Sequence, residues 1–459
     1  MRRPLLLPLF VLVAAPVAAQ RPDDARIVAA VDSIVDAALR EDLTPGMGIA
    51  VVRGGDTLVM KGYGLADVEH DVPVTDETVF RIGSLTKQFT SAAVMKLVEE
   101  GRIQLDATID EYLPEYDGPG RDVTIHQLLN HTSGIPSYTG LGEEFWEKSR
   151  LDLTHEQMLE MFEDDPLEFV PGAGWSYNNS GYYLLGMVIE AVTDESYEDH
   201  LTRTQWQPLG LEQTSYCRHT EIIPHRAEGY AVDVGVLVNA PPLSMNPPGA
   251  AGALCSTPRD LVHWNDALVS GDVVSAESYR RMTTATRLSN DSTVEYGYGL
   301  APGELEGHRM VGHSGGINGF SAYLSYYPDE DLTIAVLANG PTSTGRVQSD
   351  IARAVLGLPA REPPRVEEQP LPAEQRAQYV GSYDLAPALP LQVTIYEQGE
   401  RLMAQATGQG TMPLYYQGGH RFAGPPGSGI ELEFAVTDGV ATGFTLHQGG
   451  GEFAARRMP

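Results

Sequence analysis

The sequence predicts an α+β protein: an antiparallel sheet flanked by helices, with an all-helical subdomain, followed by a small C-terminal antiparallel β-barrel. Three observations carry this expectation. Two β-like runs stand near the start of the chain and three more stand late, at hairpin spacing. Between them the apolar spacing is mostly helical, broken by Pro and Gly, so helices are inserted into one sheet. Beyond a Pro- and Glu-rich stretch the helical period disappears and short alternating runs take over.

Residues 24–40 have the apolar spacing of an amphipathic helix. Residues 47–52 and 57–61 read as two strands joined by Arg53-Gly54-Gly55-Asp56, a hairpin signal. From Ser84 to Glu100 the pattern is helical, and Gly101 suits its C-cap. Thr124 suits the N-cap of a short helix through Leu129. Strands are expected over 308–311, 319–327 and 332–337, then a helix over 346–356. In the last segment 391–396, 402–406, 430–435 and 444–448 read as strands separated by Gly-rich turns. The expected organisation is a signal peptide over 1–19, a main α+β domain over 20–358, a linker over 359–376 and the barrel over 377–459.

The chain has 459 residues and a formal net charge of -31. Such a surface repels phosphate backbones and anionic lipid, which argues against nucleic-acid partners. Only four lysines occur: Lys61, Lys87, Lys96 and Lys148. Arg2 and Arg3, the apolar stretch after them and Val17-Ala18-Ala19 together read as a cleavable export signal. The apolar stretch is too short to span a bilayer, so stable membrane insertion is not expected. The protein is therefore expected in the periplasm or outside the cell. Cys217 and Cys255 could form a disulfide there or remain two buried thiols. His126 and His131 are five apart and His219 and His225 six apart, neither a zinc spacing, so no metal is expected.

Three segments carry candidate chemistry. Ser84-Leu85-Thr86-Lys87 heads a helix, where residues three apart share a face and Lys87 can reach the Ser84 hydroxyl. A serine nucleophile needs a base, and lysine serves only if desolvation or positive charge lowers its pKa. Tyr177-Asn178-Asn179 offers a proton relay at Tyr177 and an amide-binding group at Asn179. Gly312-His313-Ser314-Gly315-Gly316 precedes a strand, where backbone N–H groups could complete an oxyanion hole. Each segment alone also fits an ordinary polar surface or turn.

Together and in this order they resemble the serine β-lactamase and penicillin-binding protein superfamily. The resemblance is greatest to the branch of class C β-lactamases, family VIII carboxylesterases and D-aminopeptidases, and covers about residues 25–357. Phe80-Arg81-Ile82-Gly83-Ser84-Leu85-Thr86-Lys87 matches the nucleophile motif. Gly101-Arg102-Ile103-Gln104-Leu105-Asp106 and Tyr112-Leu113-Pro114 match the stretch after that motif. Thr124-Ile125-His126-Gln127-Leu128-Leu129-Asn130-His131-Thr132-Ser133-Gly134 is a specific family signature, in which His131 is expected to be structural. Tyr177 and Asn179 match Tyr-x-Asn, and His313-Ser314-Gly315 takes the place of Lys-Thr-Gly. Tyr379-Val380-Gly381-Ser382-Tyr383 resembles the lipocalin-like domains found C-terminal to such hydrolases.

The resemblance implies an acyl-enzyme on Ser84, with Lys87 and Tyr177 as acid and base. Asn179, His313 and Ser314 are the implied substrate contacts, and the N–H groups of Ser84 and Gly316 the oxyanion hole. No cofactor is implied. The implied substrate is a small ester, amide or peptide, as in carboxylesterases and D-amino-acid peptidases. β-Lactamase or D,D-carboxypeptidase activity is a second reading, disfavoured because histidine at 313 is mostly neutral at pH 7 where lysine would be a cation. A non-catalytic ligand-binding or sensor relative is a third. An α/β-hydrolase reading of residues 312–316 as Gly-x-Ser-x-Gly requires a strand–turn–helix, whereas a strand is expected after this run.

Overall fold

The computed structural model describes residues 24–361, 368–386, 391–407, 410–425, 428–448 and 451–458. The expected signal peptide and residues 362–367 of the expected linker lie outside the described residues.

Helix α1 (Asp24–Glu41) is followed by the hairpin β1 (Gly46–Arg53) and β2 (Asp56–Asp67). Helices α2 (Thr86–Glu99) and α3 (Asn179–Thr193) belong to the inserted helical region. A second hairpin, β3 (Tyr230–Asp233) and β4 (Val236–Asn239), and helix α4 (Pro258–Ser270) come next. Strands β5 (Ala301–Leu305), β6 (His308–Ile317), β7 (Phe320–Tyr327) and β8 (Leu332–Ala338) and helix α5 (Thr344–Leu356) close the domain.

The main sheet runs β5-β6-β7-β8-β1-β2, with the short strand Val72–Pro73 at its outer edge, and its pairings are antiparallel. Its middle strands, β1 and β8, are buried along their length because helices cover both faces. The pleat divides their side chains between two cores. Met47, Ile49 and Val51 pack with Ile334 and Val336 against Ile27, Val31 and Val35 of α1 and Val347 and Ile351 of α5. Ala50, Val52, Ala335 and Leu337 face the opposite core, shared with α2, α3 and α4.

Eight further strands, β9 (Gly381–Asp384), β10 (Gln392–Gln398), β11 (Arg401–Ala406), β12 (Thr411–Gly418), β13 (Arg421–Ala423), β14 (Glu431–Thr437), β15 (Val440–Gln448) and β16 (Gly451–Arg457), close into a barrel. Its interior is its own core, centred on Tyr379, Tyr383, Phe422, Phe434 and Phe444.

The fold is the expected one, with three differences of detail. The Ser84 segment opens with a tight 3-10 turn (Gly83–Leu85), and the α-helix starts at Thr86. β6 continues through the Gly-rich run to Ile317, because β7 pairs with it residue by residue from Val311 to Ile317. The middle of the chain is less uniformly helical than its pattern: β3 and β4 interrupt it, and Leu254–Ser256 pairs with Phe80–Arg81 and Ser215–Tyr216. Cys217 and Cys255 are free and buried in that small sheet region.

Candidate active site

Phe80–Arg81 enters the small sheet and aims the chain into the 3-10 turn that carries Ser84. Gly83 takes a φ of 51°, and a Cβ there would fall 2.8–3.0 Å from the backbone of Gly316. Only glycine lets the turn and β6 touch backbone to backbone. β5 stops opposite Gly312, so from His313 onward that edge of β6 has no strand partner. The turn that carries Ser84 thus meets β6 at Gly316, beyond the point where the neighbouring strand ends. Ser84 is half-buried, while Ser314 and Gly316 are exposed.

One helical turn on, Lys87 is completely buried. Its Nζ lies 3.3 Å from Ser84 Oγ, 2.7 Å from Asn179 Oδ1 and 2.9 Å from the Ala251 carbonyl oxygen. The rings of Tyr177 and Tyr182 flank it, 4.7 and 5.3 Å away. Among the described residues no carboxylate pairs with it, and burial holds its pKa well below the ordinary lysine value. A neutral amine fits the geometry: its two N–H groups satisfy the Asn179 and Ala251 oxygens, and its lone pair faces the serine hydroxyl.

The Tyr177 hydroxyl is buried beside Ser84, and burial raises its pKa although the serine hydroxyl opposes this. Asn179 begins α3, its Oδ1 on Lys87 and its Nδ2 donating to Thr139 Oγ1 at 3.0 Å. Asn178 caps the helix, accepting from the Gly181 N–H at 2.7 Å, and its Nδ2 donates to the Ile135 carbonyl.

The signature segment builds the platform beneath this turn. Thr124 and Gln127 form a reciprocal capping box. His131 Nδ1 accepts the Asn178 N–H at 3.1 Å, and its carbonyl accepts from the Ser176 N–H. Its ring packs against Tyr177, Tyr182 and Tyr296, with centroids 4.5, 5.2 and 4.7 Å away. Burial pushes its pKa well down, so it stays neutral.

His313 lies behind the cleft rather than in it, only 6% exposed. Its Nδ1 faces the Ser314 carbonyl at 2.6 Å, which can only accept, so Nδ1 carries the proton. Nε2 then accepts from the Tyr296 hydroxyl at 2.9 Å. Burial, the largest cause, lowers its pKa to about 4. The imidazole is a neutral strut between β6 and Tyr296, and its segment offers the cleft Ser314 and backbone.

The structure brings Ser84, Lys87, Tyr177, Asn179 and Gly316 together, with Ser314 on the same open strand. Ser137, Thr139, Tyr182, Ala251 and Tyr296 were not singled out from sequence. They come from distant segments, and only the polar run after the signature hinted at the first two. The run 312–316 lies within one continuous strand, which rules out a nucleophile elbow.

An antiparallel sheet with an inserted helical region, carrying a helix-head serine and a buried lysine one turn on, is the framework of a serine hydrolase. The chain belongs to the Beta-lactamase family, whose profile matches residues 31–358. Penicillin-binding protein 4* of Bacillus subtilis (strain 168) is 31% identical over 431 residues, covering 89% of this chain and 94% of that protein. Among solved structures, the octameric penicillin-binding protein homologue from Pyrococcus abyssi superposes with a TM-score of 0.65 at 28% identity, over 94% of this chain and all of that one. A D-stereospecific amidohydrolase from Streptomyces sp. matches with a TM-score of 0.60 at 28% identity, over 73% of this chain and 98% of that one. Among the described residues no helix is long and apolar enough to cross a membrane, and no cluster of His, Cys, Asp or Glu could hold a metal ion.

Proposed function

We propose that this protein is an exported hydrolase that cleaves the ester or amide bond of a small substrate through an acyl-enzyme on Ser84. The observation that carries the reading is the Lys87 amine, fully buried without a counter-ion and 3.3 Å from Ser84 Oγ.

Ser84 Oγ attacks the carbonyl carbon as its proton passes to the Lys87 lone pair. The carbonyl oxygen takes up negative charge between the N–H groups of Ser84 and Gly316. The proton returns through Tyr177 to the leaving alcohol or amine, and the carbon–heteroatom bond breaks. Water then attacks the acyl carbon as one of its protons passes through Tyr177 to Lys87, and Lys87 returns a proton to Ser84 Oγ as the acyl–serine bond breaks, releasing the acid and restoring the serine hydroxyl. Asn179 keeps Lys87 aimed and presents its amide to the acyl group. The neutral His313 supplies no cation for a substrate carboxylate, which favours carboxylesterase or D-amino-acid amidase chemistry over β-lactamase or D,D-carboxypeptidase chemistry. The Streptomyces relative, named as a D-stereospecific amidohydrolase, supports the amide side of this reading. Residues 1–19 are proposed to direct export.

The test is turnover of three probes by the purified protein beside Ser84→Ala: a short nitrophenyl ester, a chromogenic cephalosporin and a D-alanyl nitroanilide. Turnover of the ester or anilide by wild type alone is expected. Equal turnover by Ser84→Ala overturns the mechanism, and preference for the cephalosporin overturns the substrate class.

A further inference from the structure

A cleft of about 450 Å³ opens at Ile317, the residue after Gly316, and is walled partly by the catalytic domain and partly by the barrel. Trp146, Val232 and Pro341 line one part of it, and Gln405, Thr407 and Gly410 of the barrel line another. Among the described residues none of its lining side chains is charged, in a chain where 20% of residues are. Burying a charge there would have no compensating partner among those side chains, which favours an uncharged ligand, and Trp146, Val232, Ile317, Phe320 and Pro341 favour an apolar one.

The barrel is fastened to this cleft at two points. Gln405 Nε2 donates to the Val232 carbonyl at 2.8 Å, and the Val234 N–H donates to Gln405 Oε1 at 3.0 Å. One side-chain amide thus pairs with the β3–β4 hairpin as a neighbouring strand would. Tyr396 packs on Gly235 at the hairpin tip. Val234 itself has a φ of 44°, a region β-branched residues avoid unless their surroundings impose it. The strain sits where the barrel grips. At its other end the hairpin region touches the turn after Gly316, since a Cβ on Gly319 would lie 2.7 Å from Gly229 Cα. Contacts therefore run without a break from Gln405 to the proposed oxyanion strand.

Position along β6 decides which part of a substrate enters. Tyr177, the proposed proton donor to the leaving group, packs near His313, with ring centroids 6.0 Å apart. The cleft lies at the opposite end of the same segment, beyond Gly316. A carbonyl whose oxygen sits at Gly316 directs its leaving group toward Tyr177 and its acyl substituent toward Ile317.

We propose that the barrel is a specificity element: Gln405, Thr407 and Gly410 complete a pocket for an uncharged apolar acyl substituent. This rests on the Ser84 reading, and the test separates the two. The full-length protein is assayed with nitrophenyl acetate, hexanoate and glutarate, the last of similar length but ending in a carboxylate. Wild type is expected to prefer hexanoate over both. Gln405→Ala is expected to lose about tenfold in kcat/KM for hexanoate with acetate little changed, a difference of about 1.4 kcal/mol. Thr407→Phe, which fills the pocket while leaving the clamp intact, is expected to do the same. An unchanged hexanoate-to-acetate ratio in both variants overturns the proposal. If wild type shows no Ser84-dependent turnover, the catalytic reading fails, and the pocket is judged by fluorescence of the half-exposed Trp146 with hexanamide, using Trp146→Phe as the blank. A saturable change that Thr407→Phe removes supports the pocket; no saturable change overturns it.

Discussion

Replacing Lys87 with methionine keeps most of the side chain's length and removes its proton. In the folded protein burial holds the lysine pKa well below its ordinary value of 10.5, whereas the unfolded chain titrates at that value. Between the two, the unfolded state binds more protons than the folded state. Wild-type stability therefore rises with pH across that window, by up to about 1.4 kcal/mol per pH unit, and falls as the pH drops. Methionine abolishes this slope. It also leaves the Asn179 Oδ1 and Ala251 carbonyl without their donor, a loss of about 1–3 kcal/mol for each buried acceptor that does not depend on pH. Lys87→Met should then be clearly less stable than wild type near pH 10, and the gap should shrink steadily as the pH falls through the window below it. The assay is urea denaturation across this range, read by fluorescence of Trp264, which stacks on Phe89 of α2 with centroids 3.9 Å apart. Wild-type and variant curves that stay parallel at every pH would refute the reasoning, because Lys87 would then carry its proton in the fold as it does in water.

Three further outcomes are expected from the same geometry. Ser314→Ala should retain much of the activity that Ser84→Ala loses, because Ser314 is an exposed strand residue whose segment contributes mainly backbone; steady-state turnover of the nitrophenyl ester decides it. kcat/KM should rise with pH along one ascending limb as the Lys87 amine loses its proton, and that limb should lie well below the ordinary lysine range, with no separate inflection from His313, pushed down to about 4, or from His131, held lower than usual; a limb that rises only near the ordinary lysine value of 10.5 would count against the lysine base. Gly83→Ala places a Cβ against the Gly316 backbone and strains a φ of 51°, so kcat should fall about a hundredfold as the two N–H donors are pushed apart, with KM less affected.

Much of this was legible because the informative residues act locally. The Ser84–Lys87 spacing works through helix geometry alone, and the Thr124/Gln127 capping box is a four-residue device. The continuous apolar runs of β1 and β8 announce strands covered on both faces. The features that stayed hidden depend on tertiary neighbours. β6 beyond Val311 is Gly, His, Ser, Gly, Gly, a poor strand former that becomes one because β7 lies alongside it. His313 occupies a position read as substrate-binding, yet the hydroxyl of Tyr296, from a separate segment, turns its ring into the core. β12 of the barrel contains Pro413, and β13 is three residues long, so neither carries a usable alternating pattern.

The main sheet is sewn from the two ends of the catalytic segment: β1 and β2 are translated first, and β5 to β8 last. The contact between Gly83 and Gly316 therefore joins the opening and closing portions of the polypeptide. A nascent chain can hold Ser84 and Lys87 and still lack the strand that packs against their turn. The serine and the buried lysine therefore acquire their final surroundings only when the late strands dock on the early hairpin. Completion of the site is a long-range event in the chain, and it waits on the slow pairing of strands far apart in sequence.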